Sequence, residues 1–276
     1  MVGPKTLVIA VSQSGETADT LNAIKDAKSK GAKILSIVNV MGSSIEREAD
    51  YTLYTAAGPE ISVASTKAFT SQLSVLYMLA AMLKHLKVPY HSAKDNMIIY
   101  MISEMGIIPN QIAKTLDLEN QIKAISSKIY EKKSVLYIGR GLGFPVALEG
   151  ALKLKEISYI HAEGISAGEL KHGTIALIES GTPVVVLAIK GMEYEKIISN
   201  IQEVKARGAY VISIATEGDD HISKVSDEVL FVPKVDEIFA PLVAVIPLQL
   251  LAYFVAKELG RDIDKPRNLA KSVTVE

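Results

Sequence analysis

The chain has 276 residues, with 30 Lys and Arg against 31 Asp and Glu for a formal net charge of -1. That length fits one large domain or two of about 130 residues each, and the balanced charge argues against a nucleic-acid or anionic-membrane partner. With no Cys at all, disulfides, iron–sulfur clusters, thiolate zinc sites and a cysteine nucleophile are excluded.

The segment Met1-Val2-Gly3-Pro4-Lys5 has no basic run and no small-residue cleavage site, so the expected compartment is the cytoplasm. It leads into a β-branched run, Leu7 to Val11, and then into Ser12-Gln13-Ser14-Gly15-Glu16-Thr17 at the start of a helix-period segment that ends at Gly31. A hydroxyl-rich turn between a buried strand and a helix collects N–H groups and side-chain donors where the helix dipole favours an anion, which describes a phosphate cradle. The plainer reading is that Ser14 caps the helix and its neighbours are solvated.

An internal repeat organises the rest. Lys28-Ser29-Lys30-Gly31-Ala32 aligns with Lys205-Ala206-Arg207-Gly208-Ala209 at an ungapped offset of 177 residues, and Asp50, Leu53, Gln72 and Leu73 fall on Asp227, Leu230, Gln249 and Leu250 at the same offset. The register holds from about Thr6 to Tyr77 and from Pro183 to Phe254. Each copy reads as strand (Leu7 to Val11; Val184 to Ile189), helix, buried strand, short strand and long apolar helix, which is the α/β pattern of two doubly wound parallel-sheet lobes. The uncharged run Ile238 to Ala256 is long enough to span a bilayer, but Pro241, Pro247 and Gln249 favour a buried core helix. No membrane contact is expected.

The expected organisation is a first lobe over 1–92, a helical connection over 93–132, a second lobe over 133–264 and a tail over 265–276. The connection is read as helical from a Ser92 and Asp95 capping box after His91 and from helical spacing over Asn120 to Lys132. The second copy adds a strand, Ser134 to Ile138, and an amphipathic helix from Phe144 to Tyr159, whose first-copy counterparts would precede Met1. The first lobe is therefore expected to lack its opening strand and helix.

On that added helix, Glu149, Lys153 and Glu156 share one face. They form either a salt-bridged solvent face or, given Ala147, Leu148, Ala151, Leu152 and Leu154, a partly buried stripe whose carboxylate moves a proton. A loop from Ala162 to Gly173 follows, in which His172 is either a proton shuttle or an ordinary surface His. The turn Lys190-Gly191-Met192, equivalent to the hydroxyl-rich turn, carries no hydroxyls, so one anion site is expected. Gly139-Arg140-Gly141-Leu142-Gly143 lacks the last glycine of the dinucleotide fingerprint, and the five His residues, His85, His91, His161, His172 and His221, lack metal-ligand spacing. No metal or cofactor is expected. The tail, Lys265 to Glu276, is either disordered or folded over a site to present the Lys271 amine for imine chemistry.

Ser12 to Thr20, Ala57 to Glu60, Val63 to Thr70, Glu149 to Glu163, Gly168 to Gly173 and Pro266 to Glu276 together resemble the isomerase half of the glutamine–fructose-6-phosphate aminotransferases, a pair of sugar-isomerase (SIS) lobes. The resemblance implies a phosphate site at Ser12, Gln13, Ser14 and Thr17, with backbone near Val63 and Ala270 beside the sugar. It implies Glu156 as the base shifting a proton between C1 and C2, Lys271 as the imine-forming lysine, His172 as a ring-opening residue contributed across a homodimer, and Lys153 and Glu149 as supporting charges. The chain lacks the family's glutaminase domain, and the opening strand would carry a further phosphate-holding serine. The implied function is conversion of fructose 6-phosphate and ammonia, free or from a separate glutaminase, to glucosamine 6-phosphate. The alternatives are a noncatalytic sugar-phosphate-binding module and a glucosamine-6-phosphate deaminase.

Overall fold

A computed structural model describes residues 1–86 and 95–274. The chain divides into two compact units, Met1–Met101 with Arg267–Glu276 and Ile102–Pro266.

The first unit holds strands β1 (Leu7–Ser12), β2 (Lys33–Val38) and β3 (Tyr51–Tyr54) in one parallel sheet of order β1-β2-β3. Helices α1 (Ala18–Ser29), α2 (Ser44–Glu48) and α3 (Lys67–Leu86) accompany them, and α4 (Asp95–Leu116) follows. Parallel strands need helical crossovers that cover the sheet. Accordingly Ile34 and Val38 of β2 pack with Ile24 and Ala27 of α1, while Leu35 and Ile37 pack with Val75 and Leu79 of α3. β1 forms one edge, where Leu7, Ile9 and Val11 are more than a third exposed.

The second unit holds α5 (Glu119–Ile129), β4 (Ser134–Gly139), α6 (Gly143–Ser158), β5 (His161–Ser166), β6 (Pro183–Ala188), α7 (Tyr194–Lys205), β7 (Tyr210–Thr216), β8 (Glu228–Val232) and α8 (Ala240–Glu258). Its sheet is parallel throughout, in the order β5-β4-β6-β7-β8. β6 is buried along its whole length, as a central parallel strand must be. α8 is long and apolar enough to cross a membrane, but 78% of its apolar window is buried, which makes it the core helix its prolines indicate.

The repeat is visible in the topology. β1, α1, β2, β3 and α3 recur in order as β6, α7, β7, β8 and α8, whereas β4, α6 and β5 have no counterpart among the described residues of the first unit. Fine detail repeats too. Gly31 and Gly208, where α1 and α7 end, both take φ +84°, a conformation that favours glycine. Asp50 accepts the Ile34 N–H at 2.8 Å, and its repeat mate Asp227 accepts the Val211 N–H at 2.7 Å.

The loop expected over Ala162 to Gly173 is corrected over its first half. His161–Ser166 is strand β5, paired in parallel with β4, and it hugs α6 so closely that a Cβ on Gly164 would lie 2.7 Å from the Leu148 backbone. Its small residues are there for that close approach. The Gly139–Gly143 glycines likewise serve packing: a Cβ on Gly139 would strike the Gly143 carbonyl. The expected cap at Ser92 and the neighbouring His91 lie outside the described residues, as do Val275 and Glu276 at the chain's end.

Candidate functional site

The first unit gathers the hydroxyl-rich turn and the tail. After β1, the buried Ser12 Oγ accepts the Gly15 N–H at 3.1 Å and lies 3.2 Å from Thr17 Oγ1. Ser14 Oγ accepts the Glu16 N–H at 3.2 Å. Thr17 occupies the N-cap position of α1 without a side-chain capping bond, so Ser14 is not the conventional cap of that helix. Gly15, at φ +68°, lets the turn pass against Ser43, where any Cβ would overlap that side chain. The Gln13 carbonyl accepts the Asn39 N–H at 3.2 Å, joining the turn to the loop after β2. The outcome is a rigid set of hydroxyls at the carboxyl end of a parallel strand, where such sheets hold anions.

The tail lies along this turn. Ser272 Oγ is 3.1 Å from Ser14 Oγ, and the Val273 carbonyl accepts the Ala18 N–H at 3.0 Å. Between these contacts and Ala270, the Lys271 ammonium donates to Glu60 Oε2 at 2.9 Å and to the Ser62 carbonyl at 2.6 Å, next to Val63. Glu60 is held in turn by the Thr66 N–H at 2.8 Å, the Ala68 N–H at 3.3 Å and the Ser65 hydroxyl at 3.2 Å, and its side chain is only 4% exposed. Burial pushes the Glu60 carboxyl up. The Thr66 N–H, the Lys271 ammonium and the Ala68 N–H outweigh it and leave the pKa below the ordinary value.

The second unit holds the carboxylates. α6 presents Lys153, nearly buried, with its Nζ 3.4 Å from Glu149 Oε1 and 2.7 Å from Glu156 Oε2. These are close charge contacts without aligned hydrogen bonds at either of those oxygens. Burial raises the Glu149 pKa, Lys153 opposes it, and the neighbouring Glu156 adds to the rise. The face shared by the three groups is therefore an inner one, not a solvated salt-bridge ladder. His172 stands apart at the exposed end of the 3-10 helix Ala167–His172, where no ion pair or hydrogen bond joins it to these groups.

The structure thus brings Ser12, Gln13, Ser14, Thr17, Val63, Ala270 and Lys271 into one region of the first unit, and Glu149, Lys153 and Glu156 onto one helix face of the second. Sequence reasoning gave no role to Glu60, Ser62, Ser65 or Ser272. A signal existed for Glu60, because the offset of 177 places it on another acid, Glu237. In the second unit Glu237 accepts the Met192 N–H at 3.2 and 3.1 Å through its two oxygens, so a side chain occupies the turn that the first unit leaves to hydroxyls.

Comparison with known proteins agrees with this architecture. The SIS domain family model matches residues 1–82 and 128–257. The glutamine–fructose-6-phosphate aminotransferases (isomerizing) of Caldanaerobacter subterraneus and Thermococcus kodakarensis are each 52% identical over 276 residues, covering 100% of this chain for the first and 45% of its relative's length. The chain thus spans less than half the length of these curated relatives. The C-terminal domain of glucosamine-fructose-6-phosphate aminotransferase from Francisella tularensis superposes with a TM-score of 0.88 at 41% identity, covering 94% of this chain and 72% of that one. A glucosamine-6-phosphate deaminase from Thermotoga maritima shares the fold at a TM-score of 0.78 and 24% identity, covering 99% of this chain and 76% of that one. The chain belongs to the SIS domain family, and within it to the isomerase halves of the glutamine–fructose-6-phosphate aminotransferases.

Proposed function

We propose that the chain is the sugar-phosphate isomerase portion of a glucosamine-6-phosphate synthase, acting in the cytoplasm as a homodimer on fructose 6-phosphate and ammonia. The observation that carries this reading is the docked tail. An amine that can form an imine is tethered to Glu60 and Ser62 while its neighbour Ser272 touches the hydroxyl cradle at Ser14.

In this reading Ser12, Gln13, Ser14 and Thr17 take the phosphate, and backbone near Val63 and Ala270 borders the sugar. His172, supplied by the partner copy, assists ring opening. The Lys271 amine condenses with the C2 carbonyl and releases water. Ammonia then displaces the lysine and leaves a 2-imino sugar. Glu156 takes a proton from C1 and returns it to C2, while the O1 proton passes to nitrogen, so the ketose imine becomes the 2-amino aldose. Lys153, with its Nζ 2.7 Å from Glu156 Oε2, fixes the position of that carboxylate, and Glu149 shares the charge of Lys153. The ammonia is free or comes from a glutaminase.

The test is to incubate the purified chain with fructose 6-phosphate and ammonium and to assay for glucosamine 6-phosphate, with borohydride trapping in parallel. Product, with the reduced adduct mapped to Lys271, is expected. Sugar-phosphate binding without product would favour a noncatalytic module, and an adduct on another lysine would remove Lys271 from its role.

A further inference from the structure

The internal repeat carries the hydroxyl cradle onto a second, chemically different surface. At the offset of 177, Gln13 falls on Lys190, Ser14 on Gly191, Thr17 on Tyr194 and Ser44 on His221, while Gly42 falls on Asp219. In the second unit these residues, with Glu195, line an open pocket of about 500 Å³. It sits beyond the carboxyl ends of β6 and β7, where parallel sheets receive ligands.

The anion seat of this pocket is already filled. Glu237 lies on the Gly191-Met192 turn and takes the Met192 N–H, and a Cβ on Gly191 would run into its carboxylate. What stays open is an acceptor. Asp219 is 2% exposed, and its Oδ1 accepts the His221 N–H at 3.1 Å and lies 3.8 Å from Lys190 Nζ. Its Oδ2 is buried with no well-aligned hydrogen-bond partner, and so is the Tyr194 hydroxyl. Burial, then a hydrogen-bond interaction with Asp219 and the charge of that carboxylate, push the Tyr194 phenol well up, so the phenol is a neutral donor that shares Asp219 with any ligand. A buried carboxylate oxygen without a well-aligned donor is costly, and a ligand that brings one recovers that cost. Lys190 is about half exposed and only loosely paired, so it can turn to an anionic group on the same ligand.

We propose that this pocket is a second small-molecule site whose ligand presents a protonated amine to Asp219 Oδ2 and an anionic group to Lys190. The chemical class is a phosphorylated amino sugar. Choosing a sugar phosphate rests on the function proposed above; the requirement for an amine rests on Asp219 alone. The first unit's cradle reads an anion, whereas this pocket selects for the amine.

The test uses the full chain with Ser14→Ala and Thr17→Ala introduced to weaken the first cradle. Glucosamine 6-phosphate, fructose 6-phosphate and glucosamine are titrated by calorimetry, and the amide resonances of Gly191, Asp219 and His221 are followed by NMR. Glucosamine 6-phosphate is expected to shift those resonances and to bind at least tenfold more tightly than fructose 6-phosphate. Asp219→Asn, which keeps the shape and the acceptor for the His221 N–H, should remove that tenfold preference, and Lys190→Ala should weaken the phosphorylated amine more than glucosamine itself. Equal affinity for the two sugar phosphates, an unchanged preference in Asp219→Asn, or no shift at these amides with either amine overturns the proposal. If the unmutated chain fails to bind fructose 6-phosphate while the amines still shift these amides, the proposed function fails and the amine site stands.

Discussion

Glu60 and Glu237 occupy the same position of the internal repeat and both accept backbone N–H groups, but Glu60 alone also takes an ammonium, that of Lys271 at 2.9 Å, while Glu237 takes the Met192 N–H just before α7. Duplication supplied one carboxylate to each unit. In the first it anchors the chain's tail and leaves the cradle free, while in the second it closes the equivalent turn. This pairing also ties the Lys271 nitrogen to Glu60 and the Ser62 carbonyl, so imine formation requires the amine to leave both.

Glu60→Gln removes the charge and keeps an acceptor, so it isolates the ion pair. The expected result is faster amide exchange over residues 268–274 and a stability loss of about 1–2 kcal/mol, discounted because Lys271 remains partly exposed. The pH dependence has a definite sign. Glu60 is held below its ordinary value of 4.5, so its stabilisation is present above that value and is lost as pH falls through the folded value. Tail exchange should therefore rise on acidification below about pH 4.5 in the parent and be flat in the variant. Exchange that is identical in both at every pH would detach the tail's order from this pair.

Lys153→Met strips the cation from two carboxylates on one nearly buried face. Breaking a buried pair by removing one partner costs about 3–5 kcal/mol, and urea unfolding at neutral pH should show a loss of that order. Because protonating Glu149, whose pKa burial raises, removes its repulsion with Glu156, the deficit should shrink toward acid pH. A loss below about 1 kcal/mol would mean the stripe is solvated after all.

Much of this was legible in the sequence. The repeat in register, with Gly31 on Gly208 and Asp50 on Asp227, specified two sheets of the same winding, because strand and helix periods and a left-handed glycine are local signals. The i, i+4, i+7 spacing likewise put Glu149, Lys153 and Glu156 on one face, but it could not say whether that face is wet. The packing of α6 against the sheet decides that. Lys271 and Glu60 meet across 211 positions of sequence, a contact that no local pattern encodes. The segment of β5 reads as a loop in the sequence because its small residues answer to the closeness of α6 and not to strand propensity.

Gly15→Ala and Gly58→Ala separate backbone strain from overlap, since both glycines have φ +68° but only Gly15 is crowded, by Ser43. Gly58→Ala should cost about 1 kcal/mol from the left-handed conformation alone. Gly15→Ala adds the clash and should cost about 2–4 kcal/mol while also lowering affinity for sugar phosphates. Chemical denaturation of the two variants side by side checks the difference, and equal losses would show that the turn moves aside without consequence.

Glu149 makes the opposite pH prediction from Glu60. Burial raises its folded pKa above 4.5, so between that value and its folded value the native state binds more protons than the unfolded chain. Its contribution to stability must then fall as pH rises through this window and stay unfavourable above it. Glu149→Gln removes the titration while preserving shape. The difference in unfolding free energy between variant and parent should accordingly grow in the variant's favour from pH 4.5 upward, offset by a constant loss for the weakened Lys153 contact. A difference curve that is flat across the window, or that slopes the other way, would mean that the Lys153 ammonium outweighs burial at this carboxylate.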